Sequence, residues 1–188
     1  MKPLVLALGG VLLAGPLMAQ SGDPEAGRVL AGQCRTCHGL DGLARIPVAP
    51  NIGGEPAPYL ERQLRAFRSG ERVNEMMSVV ASSLSDEQIA DLAAWYAAHR
   101  AVATLEADPA EAPDLCTSCH GTDGLSVVEE VPNLAGESNI YIETQLKAFR
   151  SGKRMSEVMT PIAQDLSDAE MRAVADWYAA VGLEIEEQ

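Results

Sequence analysis

The sequence predicts an all-α protein made of two similar helical domains in tandem, and three observations lead to this. A shift of 82 positions aligns residues 34–98 with residues 116–180 without a gap, and 32 of these 65 positions are identical. Between Gly- and Pro-rich loops, apolar residues recur three or four positions apart, as they do in amphipathic helices. Helix-capping sequences occur in both halves, and no segment predicts a strand. A repeat of this length indicates two copies of one structural unit.

Residues 1–19 predict a secretory signal peptide. The segment has a positive charge at Lys2, is apolar from Leu4 to Leu13 and ends in the small residue Ala19. The apolar run is too short to cross a bilayer, so we expect no transmembrane anchor after cleavage. An uncleaved N-terminal anchor is the alternative. Export predicts a periplasmic protein.

The rest of the chain divides into three parts, which are domain 1 (residues 20–101), a linker (residues 102–113) and domain 2 (residues 114–188). Asp23 and Pro24 predict an N-capped helix in front of the first cysteine. The equivalent stretch of the second half contains Pro109 and Pro113, which make a continuous helix improbable. We therefore expect at most a short turn there and a second site that is less well covered.

Each domain is also predicted to contain a middle helix and a final helix. The middle helices cover residues 59–69 and 141–151, and they are followed by Gly70 and Gly152, since glycine commonly ends a helix. Capping boxes at Ser85 and Ser167 begin the final helices, which carry the Trp-Tyr pairs.

The chain is acidic, with a formal net charge of −13. This charge argues against nucleic acid or an anionic membrane surface as a partner. Residues 107–188 hold 5 basic and 16 acidic residues, so most of the negative charge belongs to the second half. This half serves either as a docking face for a protein partner or as a solubilising surface.

Every cysteine belongs to one of two Cys-X-X-Cys-His motifs, at residues 34–38 and 116–120. This pattern is the attachment signal for c-type haem, so the sequence predicts two haem c cofactors. Two thiols three positions apart can form thioethers with one porphyrin, and the adjacent imidazole can bind its iron. The predicted covalent sites are Cys34, Cys37, Cys116 and Cys119, and the predicted axial ligands are His38 and His120.

Other uses of these cysteines fit less well. A zinc ribbon pairs its Cys-X-X-Cys units at a spacing of about 15–20 residues, and these units are 82 positions apart. Disulfides or a redox dithiol are conceivable in an exported protein, but neither requires a histidine after each motif.

Met77 and Met159 are the candidates for the sixth iron ligand. They are equivalent under the 82-residue shift, whereas Met171 aligns with an isoleucine and is expected in the core. Methionine also fills gaps in cores, which is the alternative for both residues. His99 has no counterpart in the second half and is expected at the surface or at a helix C-terminus. Ligation by histidine and methionine raises the reduction potential of a haem.

Further residues are expected to support the haem pockets. The carbonyl groups of Pro50 and Pro132 can accept a hydrogen bond from the proximal imidazoles and fix the rings; an ordinary loop proline is the alternative. Four aromatic residues are expected to line the pockets, or else to pack in the core without haem contact. They are Tyr59, Tyr141, Trp95 and Trp177.

These motifs, with the Gln-Leu-X-Ala-Phe-Arg-Ser-Gly segments of both halves, resemble those of class I cytochromes c and in particular of the two-haem cytochrome c4 family. The resemblance implies two cytochrome c domains whose haem propionate edges face each other. It also implies a periplasmic electron carrier that takes electrons from a dehydrogenase or cytochrome complex and delivers them to a terminal oxidase.

Two other functions are considered. The chain can be the haem c electron-acceptor subunit of a dehydrogenase complex, such as a flavin-linked sulfide dehydrogenase. It can also be a haem enzyme, such as a peroxidase or thiosulfate dehydrogenase, but the sequence offers no other candidate constellation of acid, base or metal ligands and no spare cysteine. We therefore expect an electron-transfer protein and not an enzyme.

Overall fold

The computed structural model describes residues 22–128 and 130–187, so the predicted signal peptide lies outside the described residues. This part of the chain forms nine α-helices, one 3-10 helix and a two-stranded sheet. None of these helices combines the length and the apolar character needed to cross a membrane. The elements are α1 (Pro24–Ala31), α2 (Arg35–His38), α3 (Ala57–Ser69), α4 (Met77–Ser82), α5 (Asp86–Ala97), β1 (Arg100–Thr104), the 3-10 helix (Pro109–Glu111), α6 (Asp114–His120), α7 (Asn139–Arg150), α8 (Met159–Asp165), α9 (Asp168–Ala179) and β2 (Gly182–Glu186).

Domain 1 depends on a close crossing of α1 and α5. Asp23 caps α1 by accepting the N–H of Glu25 at 2.9 Å, and Pro24 lies in the first turn, as predicted. The helices approach closely because Gly27 has no side chain: a Cβ there would lie 2.0 Å from the carbonyl oxygen of Asp91. The N–H of Asp23 also donates to Oδ1 of Asp91 at 2.8 Å, which fixes the start of α1 against α5.

The equivalent residues of domain 2 form no such helix. The structure has only the 3-10 turn Pro109–Glu111 in this described stretch, and α6 begins at Asp114. The side chain of Asp108 caps the turn by accepting the N–H of Ala110 at 2.9 Å. The prediction of at most a short turn is confirmed, because prolines at this spacing cannot donate the hydrogen bonds of a continuous helix.

The predicted middle and final helices are present in both domains. The middle helices are α3 and α7, and each begins two residues before its predicted start. Both capping boxes are formed: Ser85 accepts the N–H of Gln88 at 3.1 Å, and Ser167 accepts the N–H of Glu170 at 3.3 Å. In each box the longer side chain also accepts the N–H of the serine, so two unpaired donors are satisfied at once.

An antiparallel pair of strands joins the domains, so the prediction of a chain without strands is wrong. β1 follows α5 and runs across the predicted boundary between residues 101 and 102, and β2 follows α9. The central pair is Val102 with Glu184, which are equivalent positions of the two repeats. An ion pair between Arg100 and Glu186 closes one end. Each strand is the repeat of the other, so a pseudo-two-fold axis passes through the sheet.

Each domain has its own apolar core, and each core extends to the haem motif. Cys34 packs against the cluster of domain 1, and Cys116 and Met159 pack against the cluster of domain 2. Met171 is fully buried in the second cluster, as predicted. The buried members are Ala31, Leu60, Leu92, Ala93, Trp95 and Tyr96 in domain 1, and Ala107, Ala135, Ile142, Leu146, Phe149, Ala163, Met171, Ala175, Trp177, Tyr178 and Val181 in domain 2.

Substitution of Gly27 tests the helix crossing. We expect Gly27→Ala to lower the free energy of unfolding of domain 1 by about 1–3 kcal/mol, because the added Cβ overlaps a backbone carbonyl that cannot move freely. Denaturant unfolding of the haem-loaded protein measures this. Gly32→Ala is the control, since its Cβ has a single neighbour, the Val29 carbonyl oxygen at 3.2 Å. Equal losses in both variants would contradict the account.

Candidate haem sites and the domain interface

Each haem motif lies on a short helical stretch that brings its two cysteines to one side. Cys34 has helical backbone angles at the N-cap of α2, and Cys37 follows three positions later. Cys116 and Cys119 lie within α6. Residues three apart share a helix face. All four thiols are free and half-buried, so each pair can react with one porphyrin.

The described residues disfavour the zinc alternative. In residues 22–128 and 130–187, no three His, Cys, Asp or Glu side chains come together as a metal site requires. The two Cys-X-X-Cys units also adjoin separate hydrophobic cores, so they cannot form one ribbon.

The two motif histidines are buried and held by the prolines that the sequence predicts. Nδ1 of His38 lies 2.9 Å from the carbonyl oxygen of Pro50, and Nδ1 of His120 lies 2.8 Å from that of Pro132. Because a carbonyl accepts, each Nδ1 carries the proton and each Nε2 keeps the lone pair that can bind iron. Burial lowers the pKa of both imidazoles, which favours the neutral form that a metal requires. The sites therefore fit a haem iron at Nε2.

Met77 and Met159 occupy the same place in their domains, at the first residue of α4 and of α8. Both are half-buried, whereas Met76 beside the first is 62% exposed. A polar side chain fixes each backbone: the N–H of Met77 donates to Oδ1 of Asn74 at 3.0 Å, and that of Met159 to Oγ of Ser156 at 3.1 Å. The two candidate sulfur ligands are thus presented by equivalent, locally capped turns.

Trp95 and Trp177 lie on the final helices α5 and α9, and His99 follows α5. Trp95 donates through Nε1 to the carbonyl of Leu40 at 2.9 Å, and Trp177 donates to that of Asp108 at 3.0 Å. His99 is only 4% exposed, so it is not at the surface, and its place just after the C-cap of α5 agrees with the predicted position at a helix C-terminus. Its Nδ1 lies 2.9 Å from the carbonyl oxygen of Trp95, and its ring meets the indole edge to face. This local contact holds the ring in the core just after α5.

The centre of the domain interface is formed by the two Pro-Asn loops, residues 50–55 and 132–137. The N–H of Asn51 donates to Oε1 of Glu137 at 2.8 Å. Its side-chain amide donates to the carbonyl of Gly136 at 3.0 Å. One asparagine of domain 1 is thereby bound at two points to domain 2.

The same pair of bonds is made in the opposite direction. The N–H of Asn133 donates to Oε2 of Glu55 at 3.1 Å, and its side-chain amide donates to the carbonyl of Gly54 at 3.0 Å. These residues are the counterparts of the first set under the 82-residue shift. The interface therefore has the pseudo-two-fold symmetry of the strand pair.

Both interface glutamates are buried deeply, at 4% exposure for Glu55 and 3% for Glu137. Burial raises the pKa of Glu137 to about 8, against the lowering effect of the N–H groups of Asn51 and Ser138. Burial also raises the pKa of Glu55 well above its usual range, and the nearby Glu137 adds to this. The interface thus holds two carboxyl groups with strongly perturbed protonation.

Two arginines extend the network toward the middle helices. Arg72 donates to the hydroxyl of Tyr141 at 3.2 Å and to Oε1 of Gln145 at 2.7 Å, both in domain 2, and to Oε1 of Gln63 at 2.6 Å in its own domain. Arg154 repeats the pattern with Tyr59 (3.3 Å), Gln63 (3.0 Å) and Gln145 (2.8 Å). Tyr59 and Tyr141 therefore serve the interface through their hydroxyl groups, a role that the sequence reasoning missed.

The sequence repeat itself carries a signal for these interface residues. Asn51, Glu55, Gln63 and Arg72 are all polar and are all identical in the second half. Polar loop and helix residues retained in two halves that differ at many positions indicate a shared contact. A two-fold arrangement of the domains then pairs each residue with the repeat of its partner.

A groove of about 230 Å³ opens beside Cys116 in domain 2. Its lining includes Ala173, the counterpart of Asp91, on which α1 packs in domain 1. Leu115 and Val174 are further lining residues. The groove therefore lies where domain 1 has α1. This is the region where the sequence predicts that the second haem site is less well covered.

The chain matches the family model described as cytochrome c oxidase, cbb3-type, subunit III twice, at residues 23–95 and 110–177. It is 34% identical to the thiosulfate dehydrogenase electron acceptor of Thiomonas intermedia, over 94% of this chain and 88% of that protein. It is 31% identical to cytochrome c4 of Pseudomonas aeruginosa, over 93% of this chain and 94% of that protein.

Solved structures agree with these relatives. Reduced recombinant cytochrome c4 from Pseudomonas stutzeri matches with a TM-score of 0.75 at 28% identity, covering 86% of this chain and 100% of that chain. A thiosulfate dehydrogenase from Marichromatium purpuratum matches with a TM-score of 0.74 at 30% identity, covering 85% of this chain and 40% of that chain. The predicted fold of two cytochrome c domains and the two covalently bound haem c cofactors are confirmed. The chain belongs to the cytochrome c4 family, the two-haem electron carriers among the class I cytochromes c.

Proposed function

We propose that this cytochrome is a periplasmic single-electron carrier that accepts electrons from an exported dehydrogenase and passes them to a terminal oxidase. The observation that carries the proposal is the direct contact between the two Pro-Asn loops. Each loop accepts a hydrogen bond from one motif histidine, at His38 or at His120. Two haem sites joined in this way offer an electron an internal path from one partner to the other.

The proposed axial ligands are His38 with Met77 and His120 with Met159. Haem c supplies a reversible one-electron couple between ferric and ferrous iron. Two protein ligands on each iron leave no position for a substrate, which suits a carrier and not an enzyme. The supporting observation is that both methionines begin short helices at equivalent positions with fixed backbones.

The relatives support a specific donor class. The relative from Thiomonas intermedia is named an electron acceptor of thiosulfate dehydrogenase, and a related protein from Stutzerimonas stutzeri carries the same name at 34% identity. We propose an exported thiosulfate-oxidising dehydrogenase as the donor. A subunit role in a flavin-linked sulfide dehydrogenase is the second candidate, since the acidic second half offers a docking face.

The sixth ligands are tested by the weak near-red absorption band that methionine sulfur gives when bound to ferric haem. We expect the parent protein to show the intensity of two such bonds. Met77→Ala and Met159→Ala are each expected to remove half of it, because each variant lacks one sulfur ligand. The absorption spectrum of the oxidised protein, normalised to iron, measures this.

Met76→Ala is the matched control, since it removes an exposed methionine next to the proposed ligand. It is expected to leave the band unchanged. Rapid, stoichiometric binding of carbon monoxide by the reduced parent protein would contradict irons that each have two protein ligands, and it would favour an enzyme.

The donor is tested by mixing the oxidised cytochrome with a purified thiosulfate dehydrogenase and thiosulfate in a stopped-flow instrument. We expect reduction of both haems at a rate that falls as salt is added, because charged surfaces guide the encounter. Reduction only by a flavin-linked sulfide dehydrogenase, with no reaction toward the thiosulfate enzyme, would favour the second candidate.

A further inference from the structure

One peptide unit connects a motif histidine of domain 1 with a carboxyl group of domain 2. The carbonyl of Pro50 accepts the Nδ1 proton of His38, with 2.9 Å between the heavy atoms. The N–H of the same peptide unit belongs to Asn51 and donates to Oε1 of Glu137 at 2.8 Å. Imidazole, peptide and carboxyl group form a continuous chain of two hydrogen bonds that crosses the domain interface. We call such a chain a relay, and this one is the first relay.

The second relay has the same form and runs the other way. The carbonyl of Pro132 accepts from His120 at 2.8 Å, and the N–H of Asn133 donates to Oε2 of Glu55 at 3.1 Å. Each domain therefore supplies the carboxyl group at the end of the other domain's relay.

Both relays are held in register by a separate contact. The side-chain amide of Asn51 donates to the carbonyl of Gly136, and that of Asn133 to the carbonyl of Gly54, each at 3.0 Å. Because these bonds do not involve the carboxyl groups, a Glu→Gln change leaves the loops docked while it alters the end of a relay.

The chemistry of the relay determines whether a stronger acceptor raises or lowers the reduction potential of the haem. The peptide group is conjugated, so a stronger acceptor at its N–H makes its carbonyl a stronger acceptor as well. A stronger pull on the Nδ1 proton makes the imidazole a more basic ligand, and hydrogen bonds of this kind tune the metal. A more basic ligand favours ferric iron and lowers the reduction potential.

We propose that Glu137 and Glu55 are positioning residues that act across the domain interface, each setting the reduction potential of the haem in the opposite domain through one peptide unit. The proposal rests on His38 and His120 as proximal ligands, and it does not depend on the donor or the acceptor. It links the redox state of one domain to the ionisation of a residue in the other.

Both relays end in a carboxyl group whose pKa is raised by burial. The second carboxyl oxygen of Glu137 is buried and has no hydrogen-bond partner among the described residues. Burial raises the pKa of Glu137 to about 8, and burial together with the charge of Glu137 raises that of Glu55 well above its usual range. Because two like charges oppose each other, ionisation of either carboxyl group makes ionisation of the other less favourable.

Other ionisable groups surround this pair. Tyr59 lies close enough to Glu55 for the two to interact electrostatically, and it also interacts with Tyr141, Arg72 and Arg154. Glu55 and Glu137 also interact electrostatically across the interface. Substituting Glu137 leaves the neighbouring groups and the haem propionates in place, so their own titration largely cancels when parent and variant are compared.

The raised pKa of Glu137 and the relay to His38 together give the direction in which pH changes the reduction potential of the domain 1 haem. Below pH 8 Glu137 is neutral, and above it the carboxylate strengthens the relay to His38. The potential of the domain 1 haem is therefore expected to fall as pH rises through about 8, and oxidation of that haem releases a proton. The hydrogen bond of Glu137 belongs to the relay of His38, so this fall is expected for the domain 1 haem and not for the domain 2 haem.

The test is a redox titration of the haem-loaded parent and Glu137→Gln proteins, followed by NMR at pH values on both sides of 8. Haem signals are assigned to a domain by their contacts with the residues of each motif. Glutamine keeps the acceptor oxygen but cannot ionise. We expect the variant to lose the pH-dependent fall in the reduction potential of the domain 1 haem only. At high pH and the same applied potential, the ferrous-to-ferric ratio of this haem is then expected to exceed that of the parent by on the order of tenfold.

A second variant and a control complete the design. In the ferrous protein, Glu55→Gln is expected to move the Nδ1 proton resonance of His120 and not that of His38. Glu130→Gln makes the same chemical change at an exposed interface carboxylate, which pairs with Arg62 at 2.6 Å. This control is expected to change the reduction potential of neither haem. Equal effects on both haems, an effect confined to the variant's own domain, or no effect would overturn the proposal.

Discussion

The arrangement of this cytochrome depends on one kind of hydrogen bond, in which a peptide N–H of one domain donates to a glutamate carboxyl group buried in the other. Burying a carboxyl group without partners costs several kcal/mol. The N–H groups of Asn51 and Asn133 offset part of this cost only when the domains are docked. Because the carbonyls of the same peptide units hold His38 and His120, domain docking and the proposed haem ligation share the same backbone.

The internal symmetry is retained in the strand pair and the Pro-Asn loops and is relaxed at the outer ends of the domains. The strands pair about Val102 and Glu184, and the Pro-Asn loops exchange equivalent bonds. At the outer ends, domain 1 has α1 packed on α5, whereas domain 2 has a groove at that place beside Cys116. Most of the negative charge also lies in the second half. The shared interface can thus stay constant while the two outer surfaces meet different partners.

Much of the fold could be predicted because its signals are local. The caps at Asp23, Ser85 and Ser167 act within a few residues, and the haem motifs are contiguous. The strands were missed because five residues at Arg100–Thr104 have no strand pattern of their own; they pair only because the repeated domain places Gly182–Glu186 beside them. Glu55 and Glu137 were missed for a related reason. Glutamate in a loop is usually exposed, and its burial here depends on the docked second domain.

The central claim is that the two haem sites form one electron-transfer unit across the Pro-Asn loops. The most direct test is to reduce one haem with a short pulse of photogenerated reductant and follow both by rapid absorption and resonance Raman spectroscopy. The account predicts a redistribution of the electron between the haems in a first-order phase whose rate does not depend on protein concentration. Redistribution that occurs only through collisions, with a rate proportional to protein concentration, would contradict it.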